Sequence, residues 1–486
     1  MAVKKNKSED LLMPIVSTIA TAALMIGATL AKYYLIGSKI EVDYLLAVLF
    51  VVVMVVVFVG GIFLYSFVSG SEQSSSPRFY ATFMAIFAVT FISDIFLSSI
   101  SPLLIAPGFM AVAYAYISRS KKDIFIFNFA QTTLVFFICY YEYLFTPGYN
   151  MFMAIGDPDS YLLLLLLVSI VSIAAGSFIS MAYNFKPKRT SYLRAGLLTT
   201  FFSIALYALI SLLFETRSEL LLLSWVFAIG AVMPILFSLL ILPFAEHIFN
   251  LVTDFRLIEY TDTNHPLIKK LIREAPGTYN HSLGVANFAQ MCATAIGENP
   301  YMAMACAYFH DVGKLHQPSF FTENQSGGIN PHDRLLPEVS ADIIRNHTTD
   351  GYALCTEYGL PEEIKDVTIQ HHGTLSIRYF LNKSRTLTDG EVNESDYQYH
   401  GVTPTTKIAA IIMICDSAEA AIRSMDNPDG FKVESLLKGI IKERIESDQF
   451  VNCPISMEDL NTIQQTIIEA YGGVFHKRIK YQGQKE

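Results

Sequence analysis

His310-Asp311 closes the apolar run Ala305 to Phe309, and Lys314 follows one turn later. An imidazole and a carboxylate side by side at a helix end, with a cation just beyond, are costly beside a core unless they bind something. The chain has 11 histidines. Five of them fall in the order His281, His310, His347, His371, His372, with Asp311 beside the second and Asp416 after the last. Divalent transition metals take imidazole and carboxylate ligands, and two adjacent ions need roughly six to eight such groups, one of them a carboxylate able to bridge. The set is the right size for two ions. Taken singly, each histidine reads as an ordinary imidazole bonded to backbone; the ordered set of seven is what points to a metal site.

The elements that must position these residues read as helices and loops throughout. Leu283, Val285, Ala286, Phe288, Ala289, Cys292 and Ile296 repeat at helical spacing after His281 and end at Gly297. Asn299-Pro300 is a cap followed by Pro at the first helical position, opening the helix that ends in His310-Asp311. Further helices start near Pro337 and Pro361, the second ending at His371-His372-Gly373, and others cover 405–425, 433–447 and 456–471. Asp416 follows Ile408 to Cys415, an apolar run, so its carboxylate is expected to be buried, where a metal is the partner that makes it tolerable. The expected fold is all-α.

These residues, in this order, resemble the HD-domain metal phosphohydrolases. The words Glu274-Ala-Pro-Gly-Thr-Tyr-Asn-His281-Ser, Glu323-Asn-Gln, Asn330-Pro-His-Asp-Arg334 and Gln370-His-His-Gly373 are similar to one branch, the seven-transmembrane HD phosphodiesterases that hydrolyse cyclic di-AMP in bacteria. The resemblance runs word by word over about residues 245–427. It implies that Asp311 bridges two ions, Mn or Fe, with His281, His310 and Asp416 completing one site and His347, His371 and His372 the other. The ions would lower the pKa of a bridging water and neutralise the phosphodiester as it is attacked in line. Asp311 and Lys314 are then the catalytic candidates, and Lys314, Asn330, His332 and Arg334 the candidate substrate contacts; His332 could instead shape its loop. His316, His400 and His476 stand outside the series. Cyclic di-GMP enzymes of the superfamily carry a Gly-Tyr-Pro word after the double His, and here Gly-Thr-Leu-Ser follows. The implied reaction is cleavage of cyclic di-AMP to pApA. The alternatives are an HD hydrolase of another nucleotide (cyclic di-GMP, an alarmone or a dNTP) and a membrane receptor that only binds one. The polar insert 382–399 has no assigned role.

The remainder of the chain is too apolar for water. Over 486 residues, 52% are hydrophobic and 16% charged, with mean hydropathy +0.38, which places part of it in lipid. The net charge of -9 leaves no polybasic footprint, so no polymeric nucleic acid is expected as partner. Six cysteines lack paired spacing and read as reduced. Apolar stretches at about 12–36, 44–69, 79–97, 100–117, 124–145, 161–183, 193–214 and 220–245 give about eight candidate spans. The fourth is interrupted by Pro102, Pro107 and Gly108, the mark of a re-entrant or broken segment.

Lys and Arg in short loops set the orientation. Lys4, Lys5 and Lys7, Arg78, Arg119 with Lys121 and Lys122, and Lys186, Lys188 and Arg189 fall on one side, while the loop 146–160 carries Asp157 and Asp159 and neither Lys nor Arg. This layout implies a multi-pass protein of the bacterial cytoplasmic membrane, both termini and the His-rich domain inside, with membrane lipid as a partner and a homo-oligomer left open. The first span reads as an uncleaved anchor. Family members carry a large outer domain after the first span; here only 37–43 separate spans one and two. Lys32, Glu142 and Arg194 are expected to snorkel from span ends, and Asp94 is the exception that asks for a function. The expected domains are 1–248 in the membrane, a helical connector 249–273, and a cytoplasmic HD bundle 274–486.

Overall fold

A computed structural model describes residues 7–37, 44–69, 77–99, 104–118, 120–145, 158–182, 189–213, 220–248, 252–325, 327, 329–387, 391–425 and 429–474. The loop charges Lys4, Lys5, Arg119, Asp157, Lys186 and Lys188, the connection 38–43 and His476 lie outside the described residues. The chain divides into two compact units, Met1–Thr253 and Asp254–Glu486, and is helical throughout: among the described residues the sole β pairing is an isolated bridge between Ser376 and Gln398.

The first unit contains α1 (Lys7–Gly37), α2 (Tyr44–Val68), α3 (Pro77–Ser98), α4 (Phe109–Ile117), α5 (Lys121–Phe145), α6 (Pro158–Ala182), α7 (Arg189–Leu213) and α8 (Leu220–Ile248). Four apolar segments, Leu11–Tyr34, Leu45–Val68, Pro77–Ser98 and Lys121–Leu144, are long enough to cross a membrane, and shorter apolar segments lie in α6, α7 and α8. On α2 Leu45, Leu49, Val53, Val57 and Leu64 face outward while Val51, Val55, Val59 and Ile62 are buried. A helix apolar on both faces suits a lipid surround.

The expected fourth span is corrected. Its helix has nine residues, about 13 Å at 1.5 Å per residue, too short for a bilayer core of roughly 30 Å. Gly108, at φ 66°, takes the left-handed conformation ahead of it. The break is held by side chains of three other helices. Asp94 of α3 accepts from the Ala106 amide at 3.1 Å, Ser172 of α6 from the Gly108 amide at 3.0 Å, and Asn128 of α5 from the Ala111 amide at 3.3 Å. Gln131 also donates to Asp94 at 3.1 Å. Non-helical backbone is tolerated at this depth because protein supplies its partners. Asp94 therefore has a structural task.

Lys32 and Glu142 do not snorkel. Lys32 is 2% exposed and its ammonium lies 2.7 Å from Glu142 Oε2, with Ser98 Oγ at 3.1 Å. Each charge is tolerated because the other is there. Arg194, by contrast, is exposed.

The second unit contains α9 (Asp254–Tyr260), α10 (Pro266–Glu274), α11 (Pro276–Ala295), α12 (Pro300–Phe309), α13 (Pro337–Glu357), α14 (Glu362–Gln370), α15 (Arg378–Leu387), α16 (Lys407–Ser424), α17 (Gly430–Glu446) and α18 (Met457–Val474), with short 3-10 turns between α12 and α13. Pro occupies the first turn of α10 to α13, where its missing N–H costs nothing. The Asn299 side chain caps α12 through the amides of Tyr301 and Met302. α11 packs on α12, α16 and α18, and Ile408 to Cys415 of α16 are buried at the centre. The expected connector 249–273 is not a separate piece: α9 and α10 belong to this unit. Asn299 donates to Asp254 at 3.0 Å, and the His265 ring meets Phe309 edge-on at 5.4 Å.

Candidate dinuclear metal centre

Five helices or their ends converge on one carboxylate. His281 sits in the second turn of α11, His310 caps α12, His347 lies mid-way along α13, His371 and His372 follow α14, and Asp416 lies within α16. Asp311 opens the 3-10 turn Val312–His316 with φ -109°, ψ 11°. That turn comes so close to α13 that a Cβ on Gly313 would meet the His347 carbonyl oxygen at 1.9 Å. Glycine at 313 is what lets Asp311 and His347 share a site.

The seven residues fall into two groups, His281, His310, Asp311, Asp416 and Asp311, His347, His371, His372, within each of which the donor atoms all lie within 4.8 Å of one another. Asp311 belongs to both and gives one oxygen to each. Its Oδ2 is 3.3 Å from His310 Nε2 and 3.7 Å from His281 Nε2; its Oδ1 is 3.3 Å from His347 Nε2 and 3.6 Å from His371 Nε2. Asp416 lies 2.9 Å from His281 Nε2 through Oδ1 and 3.8 Å from His372 Nδ1 through Oδ2.

Backbone carbonyls decide where the imidazole protons sit. A carbonyl oxygen only accepts, so the Nδ1 bonds of His310 to Ala307, His347 to Ile344 and His371 to Val367 place the proton on Nδ1. The Glu419 carboxylate does the same for His281. Nε2 of all four then turns a lone pair inward. His347 and His371 bring theirs to 3.3 Å of each other, and His310 Nε2 and Asp311 Oδ1 are buried without a hydrogen-bond partner. Lone pairs and carboxylates packed this closely repel unless a cation sits among them. The donor set fits divalent metal, with the outer hydrogen bonds that orient such ligands already in place.

Charge behaviour follows. Burial alone would lower His310, but Asp311 and Asp416 outweigh it and hold the imidazole up at about 10; His281 is raised against burial by Asp416 and Glu419. Without metal, protons take the cation's place there. His371 and His372 are lowered, chiefly by burial. Burial would raise Asp311, yet Lys314 and His310 hold it well below the usual carboxylate range, and His281 and His310 do so for Asp416.

Of the expected substrate contacts, only Lys314 touches this set among the described residues. Its ammonium is 2.7 Å from Asp311 Oδ2 and 2.8 Å from Glu323 Oε1, above the Phe321 ring. Asn330 instead caps the turn Pro331–Arg334 by accepting from the His332 amide at 3.1 Å. His332 is 4% exposed, donates from Nε2 to the Phe320 carbonyl at 3.0 Å and packs on Phe320 and Phe380, which favours its loop-shaping alternative, while its Nδ1 is buried without a hydrogen-bond partner among the described residues. Arg334 is exposed.

Glu419 and Tyr399 escaped the sequence reading, and Glu323 entered it only as part of a family-like word, without a role. Glu419 lies one turn beyond Asp416 on α16, a spacing that places both on one face. Glu323 anchors Lys314 and accepts from the Thr278 hydroxyl at 3.1 Å. Tyr399 stacks on His372, for which the sequence carries no signal.

Residues 278–421 match the family described as HD domain. The cyclic-di-AMP phosphodiesterase PgpH of Listeria monocytogenes serotype 1/2a (strain 10403S) is 45% identical over 246 residues, 51% of this chain and 34% of that protein. The protein of the same name from Bacillus subtilis (strain 168) is 38% identical over 296 residues, 60% of this chain and 42% of that protein. The chain thus spans well under two thirds of the length of both relatives. The crystal structure of the L. monocytogenes PgpH HD domain in complex with cyclic-di-AMP is 46% identical, covering 45% of this chain and all of that one, with a TM-score of 0.43.

Proposed function

We propose that this chain, whose residues 278–421 match the family described as HD domain, is a membrane-anchored phosphodiesterase that opens cyclic di-AMP to pApA. One observation carries the reaction type: a buried carboxylate, Asp311, divided between two groups of inward-facing imidazoles. The names of two relatives at 45% and 38% identity support the substrate, as does the absence of a Gly-Tyr-Pro word after His372.

His281, His310, Asp311 and Asp416 would hold one divalent ion and Asp311, His347, His371 and His372 a second, Mn or Fe by their imidazole-rich donors. When bound, such ions supply positive charge against the phosphodiester and acidify the attacking water. The chain's own residues do the rest. Carbonyls of Ala307, Ile344 and Val367 keep the Nδ1 protons and fix ring orientation. Lys314, held between Asp311 and Glu323, brings a fixed cation to the edge of the set for the phosphate oxygens. Asn330 and His332 hold the neighbouring loop. Loop Lys and Arg support a bacterial cytoplasmic membrane location with the catalytic unit inside.

Full-length protein in detergent, loaded with Mn and given cyclic di-AMP or cyclic di-GMP, tests this by chromatography of linear products. Formation of pApA that Asp311→Ala abolishes is expected. A folded, Mn-loaded chain that turns over neither dinucleotide overturns the reading in favour of another nucleotide or a binding-only receptor.

A further inference from the structure

The polar insert 382–399 ends against the donor set. Residues 397–399 run antiparallel to 375–377: the Ile377 amide donates to the Tyr397 carbonyl at 2.6 Å, the Tyr399 amide to the Leu375 carbonyl at 2.9 Å, and Ser376 pairs with Gln398. The strip is fastened from its other side by α13. The Tyr397 hydroxyl donates to Glu338 at 2.6 Å, and the Arg345 guanidinium donates to the carbonyls of Asp396 and Gln398 at 3.1 and 3.2 Å.

This double fastening lays the Tyr399 ring on the His372 imidazole, centroids 4.3 Å apart and planes 23° apart, with the His347 ring edge-on at 6.1 Å. His372 is the most open of the seven, its side chain 22% exposed against 11% or less for the others. Tyr399 is itself partly exposed. It therefore lies beside the most open member of the set. Its hydroxyl makes no hydrogen bond among the described residues, although Lys314, Asp311 and Asp416 all act on it electrostatically. A rigidly held ring with an unused O–H donor beside the most open metal-ligand candidate has a use only when something else arrives.

We propose that Tyr399 is a catalytic residue whose O–H donates to a non-bridging oxygen of the scissile phosphodiester. The proposal rests on the phosphodiesterase reading. Negative charge shifts among those oxygens as the bond to the leaving oxygen breaks, and a donor already fixed in place stabilises it without reorganising. The neutral hydroxyl complements Lys314, which is engaged with Asp311 and Glu323. The competing account makes the ring merely a shelf for His372.

Tyr399→Phe separates the two because it keeps the ring and removes the donor. In the full-length, Mn-loaded protein acting on cyclic di-AMP, kcat should fall about 10- to 100-fold, with KM nearly unchanged. Mn affinity, measured by titration, should equal that of the wild type. Tyr399→Ala should lower Mn affinity as well, since His372 loses its support. Wild-type kcat in Tyr399→Phe overturns the proposal and leaves the shelf. Reduced Mn affinity in Tyr399→Phe also overturns it, by showing that the residue acts through His372. A wild-type protein without turnover removes the phosphodiesterase reading and this inference with it.

Discussion

The Glu419 carboxylate accepts the Nδ1 proton of His281, so that Nε2 of the same ring faces Asp416 at 2.9 Å. A carboxylate behind an imidazole fixes ring orientation and makes the opposite nitrogen a better ligand. Glu419→Ala should therefore cost about 10- to 100-fold in metal affinity, and Glu419→Gln less, because an acceptor remains. Titration of the metal-free protein with Mn reads both. Unchanged affinity in Glu419→Ala would show that His281 needs no such brace.

Gly313→Ala is expected to be as damaging as loss of a ligand. The added methyl would lie 1.9 Å from the His347 carbonyl oxygen and 2.5 Å from the Gly351 amide nitrogen, both backbone, so α13 must move away from Asp311. Metal content and phosphodiesterase activity should fall together while α-helical circular dichroism is retained. A variant that keeps its metal would show that this contact yields more easily than its geometry implies.

The metal-free protein should lose stability as pH rises. His310 is raised in the folded state to about 10, so its contribution is fully present below the ordinary histidine pKa of about 6.5 and is lost between there and 10. Asp311 and Asp416 are lowered; their contribution is present above about 4 and lost as pH falls further. His371 and His372 are lowered and cost stability as pH falls below about 6.5, so thermal melts of metal-free protein should be highest near that pH and drop on the alkaline side. Metal binding displaces the His310 proton, so Mn affinity should rise with pH and the alkaline drop should disappear. A metal-free melting temperature that is flat from pH 6.5 to 10 would contradict this.

Lys32→Ala leaves the half-buried Glu142 without this cation and should destabilise the membrane unit by up to about 3 kcal/mol. The double change Lys32→Met with Glu142→Leu should recover most of that loss. Melting of each variant in detergent measures the difference. Equal melting temperatures for Lys32→Ala and wild type would mean that Glu142 finds water or another donor.

What the sequence discloses depends on how local the determining physics is. Apolar length makes α1, α2 and α3 legible, and Pro102, Pro107 and Gly108 mark the fourth stretch as broken; what holds the break open depends on Asp94, Asn128 and Ser172, which only tertiary packing brings together. The seven donors stand out by type and order, and the structure gathers them around Asp311. Glu419 is missed because an acid three residues past another is commonplace. Lys32 and Glu142, 110 positions apart, read as span-end charges because nothing local distinguishes a paired charge from a snorkelling one. Asn330 and His332 look like substrate contacts from their place in a motif, whereas Asn330 Oδ1 and His332 Nε2 bond within the loop itself.

The break before α4 also constrains the order in which the membrane unit can be assembled. Segment 104–117 leaves the ribosome before Asn128 of α5 and Ser172 of α6, yet these supply two of the acceptors for its amides. Until α5 has been made, those N–H groups have Asp94 alone among the three acceptors, and until α6 has been made the Gly108 amide still lacks Ser172. The segment cannot settle in lipid as an independent span during synthesis; it has to wait at the translocon or the interface and be drawn in when α5 and α6 arrive. Truncation after α4 or α5 should therefore leave it accessible to water-borne thiol or amine reagents, and extension through α6 should bury it.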